Sequence, residues 1–325
     1  MRHIAQWIVI TMALPSVAFF WGFFAHKKIN RLAVFTLPPP MIGFYKKNIT
    51  YIEEASVVPD KRRYAVPDEA PRHYIDLEDY GDSAIAHLPR YWSDAVDQFG
   101  VDTLMAHGIV PWQVVLMVHR LKDAFFVGDP EKILSLSAEL GHYVADANVP
   151  LHTTRNYNGQ LTGQDGLHAL WESRLPELFS SEYEFYVGQA EYTADVTGAV
   201  WEAIDRTHQA LDSVLSIEKE LANKSGDRKY NFETKGKKTV KVVSYAYARA
   251  YHDALNGMVE RQMKVSIKMI GDLWYTAWVD AGQPDLDRFL DYRPTPEELE
   301  QRQAALREWK KSNTKVRDHE IEIEN

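Results

Sequence analysis

The chain reads as an all-α protein with one multi-helix domain. Three observations predict this: apolar residues recur at helical spacing over most of the 325 positions, strand-type alternation is scarce, and helix start and stop signals punctuate the sequence. With 45% apolar residues, the chain is long enough to bury a sizeable core, as one large domain or two small ones. The reading adopted is a domain over 21–293 and a charged helical tail over 294–325.

Residues 1–20 have the form of an export leader. Arg2 gives a positive start, Ile4 to Leu14 is an apolar run, and Pro15, Ser16 and Ala18 form a small-residue end. The run is too short to span a bilayer, although a membrane anchor is the competing reading. Cleavage before Trp21 would follow Phe20, a bulky residue at a position where small ones are preferred; cleavage after Ala18 would leave two extra residues. The expected location is therefore periplasmic or secreted.

Ile29 to Leu37 reads as the end of a helix stopped by Pro38, Pro39 and Pro40, and Met41 to Glu54 again has helical spacing. Pro59 to Pro89, rich in Pro, Gly and Asp, reads as ordered loop. Helices are expected over Trp92 to Phe99, Trp112 to Phe126 and Pro130 to Ala147, the last with Asp129 as N-cap and proline in its first position. A polar loop over Asn156 to Gln164 precedes a helix over Leu167 to Leu178. Ala190 to Ala222 and Ser244 to Val279 read as two long helices. Between them, Lys224 to Lys241 carries seven Lys or Arg against two acids. It reads as a solvated loop, with a contact to a phosphate-rich substrate or anionic lipid as the functional alternative. Thr295 caps the helix that opens at Pro296, and its end over Asp318 to Asn325 is expected to fray.

The formal charge of −9 disfavours tight, non-specific binding of duplex DNA, though it leaves room for a local basic groove. The chain has no cysteine, so an exported fold here depends on core packing and bound metal.

The chemistry concentrates in 31 residues. His142 and Asp146 stand four apart, as do His168 and Glu172, with His152 between the pairs. Residues four apart share a helix face, so each pair can grip one ion. Imidazole with carboxylate suits Zn²⁺ or another first-row divalent ion. Upstream, Trp21, His26, Asp60 and His73 bring the candidates to nine. His119, His208, His252 and His319 read as surface or satisfied core residues, and His107, before "GIVPW", as a cleft residue rather than a ligand. Asp76, Glu78 and Asp79 read as solvated acids or as acceptors behind imidazole N–H groups. Trp112, Trp171, Trp201, Trp274 and Trp278 are expected in the core.

These residues resemble the zinc-dependent phospholipase C and S1/P1 nuclease superfamily. The segments that carry the resemblance are "WGFFAHKKIN" with Trp21 and His26, "PDKRR" with Asp60, "RHYID" with His73, "HYVAD" with His142 and Asp146, "VPLH" with His152, and "LHALWE" with His168 and Glu172. The match spans most of 21–175. It implies an exported, all-α hydrolase of phosphodiester bonds with three zinc ions in one cleft. Asp60, His73, His142 and Asp146 would hold the first ion, and His152, His168 and Glu172 the second. Trp21, through a free amino group and carbonyl, and His26 would hold the third, with Asp146 bridging the first and third. In such a site two ions roughly 3.5–4 Å apart share a hydroxide and clamp an in-line displacement at phosphorus. Asp60 would orient the attacking water or take its proton.

The substrate is less sharply specified. The five-residue step from Trp21 to His26, the run "HYIDLED" and Arg63 resemble nucleases. There Tyr74 would stack a base, Asp76 would accept its hydrogen bond and Arg63 would contact phosphate. Glu172, where nucleases generally have Asp, the lack of cysteine, and "INRLAVFTLP" together with the overall length resemble the phospholipase C branch. The reading adopted is phospholipase C-like, with transient contact to a membrane surface and a phospholipid head group as substrate. A single-strand nuclease is the alternative, and a non-catalytic exported zinc protein the third.

Overall fold

Helix accounts for 69% of the described residues and strand for 4%. The computed structural model describes residues 22–81, 83–235 and 238–307; the segment expected to be a leader, Trp21, and the end of the tail with His319 lie outside them.

The first helix, α1 (Phe23–Ala33), closes in a 3₁₀ turn, Val34–Thr36. The proline run separates two helices, as its stop signal and the helical spacing from Met41 imply. Pro38 caps α2 (Pro39–Lys47), where Pro39 takes the first position, whose N–H has no helical partner anyway. The single stretch expected to Glu54 is divided at Asn48 into α2 and α3 (Ile49–Ala55). The expected loop over 59–89 is built of short helical turns: α4 (Val58–Arg62), 3₁₀ turns at Ala70–His73 and Leu77–Tyr80, and α5 (Ala84–His87). Next come α6 (Trp92–Phe99), α7 (Val101–His107), α8 (Val110–Val127) and α9 (Pro130–Ala147). Asp129 caps α9, its side chain accepting from the Lys132 N–H at 3.1 Å.

After α9 the chain makes a 3₁₀ turn at Pro150–Thr153, a polar loop, a π-helical turn at Ala169–Arg174 and α10 (Leu175–Phe179). The helix expected from Ala190 begins only after Asp195 caps it. Before that, Ala190, Glu191 and Thr193 donate their N–H groups to Thr36 O, Asp272 Oδ1 and Thr276 Oγ1. It is then two helices, α11 (Val196–Gln209) and α12 (Leu211–Ser225). The basic insert is an antiparallel hairpin, β1 (Tyr230–Lys235) with β2 (Lys238–Val243), in place of the expected loop. The last long helix is interrupted between α13 (Tyr245–Ala254) and α14 (Met258–Asp280). There Asn256 and Gly257 are left-handed, at φ 48° and 73°, and two such residues cannot continue a right-handed helix. In α15 (Pro296–Ala305), Thr295 and Glu298 form a reciprocal capping box; none of its residues is buried, and Arg302 ties it to Glu131 and the ring of Tyr51.

The two-residue turn Gly128–Asp129 folds α9 back along α8, and α14 packs on α1, α8 and α9. Trp201 and Trp274 are fully buried, and Trp112, Trp171 and Trp278 nearly so. Tyr45 stacks on Trp274 at 5.1 Å, and Ser137 on α9 accepts from the Trp274 indole through its carbonyl and bonds the Tyr45 hydroxyl through its own. Among the described residues no single helix is long and apolar enough to cross a membrane.

Helix α1 also crosses α9, and the crossing depends on Gly141. A Cβ there would fall 2.0 Å from Oδ1 of the buried Asn30. The close approach stacks His26 of α1 on His142 of α9, ring centroids 4.2 Å apart. Gly141→Ala is expected to destabilise the protein by about 1–3 kcal/mol, because overpacking outweighs the roughly 1 kcal/mol gain in helix propensity. Chemical denaturation reads this directly; an unchanged or raised midpoint would show that Asn30 moves aside at no cost.

Candidate metal centre

Six local structures converge on one point. Helix α1 supplies His26, α4 supplies Asp60, and the turn Ala70–His73 ends on His73. Helix α9 supplies His142 and Asp146 from one face, and the turn Pro150–Thr153 supplies His152. His168 and Glu172 come from the π-helical turn and the residue before it, a wide turn of a kind that recurs at functional sites. Trp21 lies outside the described residues. Gly22 next to it stands at the cluster: a Cβ built there would be 3.7 Å from Ser173 Oγ and 4.0 Å from Glu172 Oε1.

The eight described side chains form three groups able to hold metal ions. In the first, Asp146 Oδ2 lies 2.9 Å from His73 Nδ1 and 3.2 Å from His142 Nε2, which are 3.0 Å from each other. Asp60 Oδ1 stands 3.9 Å from both nitrogens. In the second, His168 Nε2 is 2.5 Å from Glu172 Oε2 and 3.2 Å from His152 Nε2, and the His152–Glu172 distance is 3.6 Å. In the third, His26 stands with His142 and Asp146, its Nε2 3.4 Å from Asp146 Oδ1, and it also faces Glu172 Oε1 of the second group at 3.2 Å. Donors at roughly 2.0–2.1 Å from a tetrahedral Zn²⁺ stand about 3.3 Å from one another, so most of these separations are the edges of such a site. His142 is common to two groups, Asp146 turns Oδ2 to His73 and His142 and Oδ1 to His26, and Glu172 turns Oε2 to His168 and Oε1 to His26. The sharing by Asp146 follows from the resemblance; that by Glu172 was not foreseen.

Contacts outside the donors fix which ring nitrogens face inward. His152 Nδ1 donates to the His73 carbonyl at 2.7 Å and His168 Nδ1 to the Tyr157 carbonyl at 3.0 Å, which leaves Nε2 of each as the inward acceptor. His73 is turned the other way, Nδ1 inward, with Nε2 3.5 Å from Glu69 Oε1. Glu69 is fully buried among Arg62, Arg72 and Tyr143. Sequence reading missed Glu69; its only signal was its place four residues before His73. It assigned the acceptor role instead to the acids after His73, which the structure employs elsewhere: Glu78 accepts from Thr154, and Asp79 Oδ2 pairs with His107 Nδ1 at 2.9 Å.

Charge is concentrated here. Burial alone would push His26 down, but its hydrogen bond to Glu172 and the charges of Asp146 and Asp60 raise it to about 9. His73 also rises to about 9, burial being outweighed by Asp146 and Glu69. Burial opposes ionisation of Asp146 and Glu172, yet the facing imidazoles hold both well below the usual carboxylate range. Burial keeps His142 low, as a neutral donor. Asp60 is also depressed, by His142 and Arg63, and its side chain is 14% exposed against 3% or less for His26, His73, His142, Asp146, His152 and His168.

Of the residues expected to touch substrate, Arg63 is at the cluster, its Nη1 3.5 Å from Asp60 Oδ1. Tyr74 and Asp76 belong to a neighbouring polar group. Tyr74 is 9% exposed, its ring and carbonyl against Gly108, which sits at φ +90° where a Cβ would fall 2.2 Å from that carbonyl. Asp76 is buried, its N–H bonded to the His107 carbonyl at 2.7 Å; with Asp79 and His107 it makes a fourth group of suitable donors. His107, read from the sequence as a cleft residue and not a ligand, is thus the partner of Asp79. His208 and His252 are engaged with Thr153 and Tyr183, and His119 is exposed.

No family profile matches the chain, and no curated protein matches it. The reading of the centre therefore rests on its own geometry.

Proposed function

We infer that the chain is an exported zinc-dependent hydrolase of phosphodiester bonds, phospholipase C-like, of the zinc phospholipase C and S1/P1 nuclease type. The observation that supports this reading is that Asp146 and Glu172 each turn one oxygen to His26 and the other to further imidazoles, so that the donor groups adjoin. One structural ion needs no such sharing. His73, His142, Asp146 and Asp60 would hold one ion and His152, His168 and Glu172 a second. His26 and Asp146 would hold a third, which the amino group and carbonyl of Trp21 would complete once the leader is removed. Bound zinc supplies Lewis acidity and a water that ionises near neutral pH.

The protein groups do the rest. Asp60 is the most exposed of the donor carboxylates, 14% against 10% for Glu172 and 1% for Asp146, and it is held ionised. It is placed to accept a proton from, or orient, a water entering the cleft. Arg63, locked against Asp60, presents fixed positive charge where a phosphate oxygen would sit. The outward bonds of His152 and His168 through Nδ1 turn Nε2 of each inward. A base-stacking platform needs an open ring face; the buried setting of Tyr74 favours a lipid head group over a nucleobase.

The test is zinc content with hydrolysis of bis-p-nitrophenyl phosphate, followed by head-group release from phospholipid against cleavage of single-stranded DNA. DNA cleavage without lipid hydrolysis would replace the lipid reading by the nuclease one. Bound zinc with no hydrolysis at all would leave a non-catalytic zinc protein. His152→Ala should cost about one zinc per chain and lower turnover at least about 100-fold. A rate within about threefold of the unaltered protein would show that the second ion takes no part.

A further inference from the structure

The hairpin β1–β2 stands out in charge and in attachment. In a chain of net −9, Lys224 to Lys241 carries seven Lys or Arg against two acids. Its register puts Tyr230, Phe232 and Thr234 opposite Val243, Lys241 and Thr239 on one face, with Asn231 and Glu233 opposite Val242 and Val240 on the other. The base of the hairpin lies on the body, where Tyr230 and Val243 are half-buried and Val243 packs against the core, and on the second face Glu233, Val240 and Val242 are half-buried. The first is open, with Phe232 64% exposed and Lys241, Thr234 and Thr239 exposed. Lys241 lies over the Tyr230 ring at 4.3 Å, an amphipathic pairing of aromatic body and cationic head.

The hairpin is joined to the metal centre at two points. Glu233 Oε1 pairs at 2.6 Å with Arg174, two residues beyond the donor Glu172. Lys229 Nζ pairs at 2.7 Å with Glu218, which is fully buried. The Glu218 carboxylate also accepts from Tyr247 OH and from Gln164 Nε2, each at 2.6 Å. Gln164 belongs to the loop that delivers His168, where Asn158 Oδ1 accepts from the N–H groups of Gly166 and His168 at 3.1 and 3.3 Å. The hairpin thus stands on the two segments that carry His168 and Glu172.

We propose that this hairpin is an arm that seats the protein on anionic bilayers, with Phe232 entering the head-group region and the lysines contacting lipid phosphates. An exposed aromatic ring beside a lysine, on a segment rich in Lys and Arg, is the composition that binds an anionic interface: the cations are drawn to the surface charge and the ring is buried at the boundary. A nucleic-acid strand would be met by lysines as well, but a lone Phe beside threonines offers no row of stacking rings. The arm deepens the lipid reading of the centre, and its binding can be tested apart from any hydrolysis.

The experiment is co-sedimentation of the full mature chain with vesicles of phosphatidylcholine alone and of phosphatidylcholine with phosphatidylglycerol, at low and high salt. The protein should bind the anionic vesicles and be released by salt. Lys241→Glu and Phe232→Ser should each weaken that binding about tenfold. Both variants should keep the hydrolysis rate on soluble bis-p-nitrophenyl phosphate and the thermal midpoint, since neither side chain touches the donors. Absence of binding to anionic vesicles, or equal binding by both variants, overturns the proposal. So does binding of a single-stranded oligonucleotide in preference to vesicles, if the same variants abolish it. Vesicle binding that depends on these residues but comes with no head-group release upholds the arm and rejects the lipid-hydrolase reading alone.

Discussion

Asp146→Asn is expected to strip at least two zinc ions from each chain and to lower phosphodiester hydrolysis by more than the roughly 100-fold that loss of an outer contact to a ligand costs. The replacement keeps the volume of the side chain, so packing around α9 is unchanged. What it removes is the charge and one of two donor oxygens. Oδ2 faces His73 and His142 at 2.9 and 3.2 Å, while Oδ1 faces His26 at 3.4 Å. An amide nitrogen on either side is no ligand, so whichever way the amide turns, one group loses a donor and both lose half of a shared negative charge. The metal-free protein suffers too. His26 and His73 owe part of their raised pKa to Asp146. Leaving buried imidazolium without its counter-charge costs about 3–5 kcal/mol. Elemental analysis and a soluble phosphodiester assay read both effects. A variant with the full zinc content of its parent would show that Asp146 is not shared between ions.

The second large effect is a reversal of pH dependence when metal is removed. In the metal-free protein, His26 and His73 have folded pKa values near 9 against about 6.5 when unfolded. Their contribution is fully present below about pH 6.5 and is lost as pH rises through 9; two such shifts amount to several kcal/mol. Asp146, Glu172 and Asp60 are depressed, so their contribution is present above the ordinary carboxylate range and lost in acid. The stripped protein should therefore be most stable near pH 5–6.5 and melt at progressively lower temperature towards pH 9. With zinc bound, the same imidazoles must give up their protons to the ion, so zinc affinity and stability rise with pH over that interval. Thermal unfolding at several pH values, with and without chelator, gives two slopes. Opposite signs are expected; parallel curves would show that these histidines do not bind the metal.

Much of this was legible in the sequence because it is local. Asp129 before Pro130 fixed the start of α9, and the four-residue steps within His142–Asp146 and His168–Glu172 placed donors on shared faces. What was not legible is mostly long-range or sterically special. Glu69 is an ordinary acid in a polar stretch until folding sets it behind His73 and between two arginines. The chain before Asp195 stays extended because side chains on α14 take its N–H groups, and propensity over Ala190 to Ala222 carries no trace of that. The Asn256–Gly257 break and the hairpin were available but overlooked. Asn-Gly is a strong turn signal, and two residues containing a glycine between Lys235 and Lys238, flanked by alternating residues, is a hairpin signature.

Because Asp146 and Glu172 each face more than one set of imidazoles, the proposed cation sites would not fill independently. An ion at one position would orient the shared carboxylate for the next and displace the imidazole protons that otherwise compensate it. Loading should accordingly be cooperative, with empty and complete molecules coexisting and few partly filled ones between them. Scarcity of metal would then reduce the number of working molecules and leave the rate of each one intact.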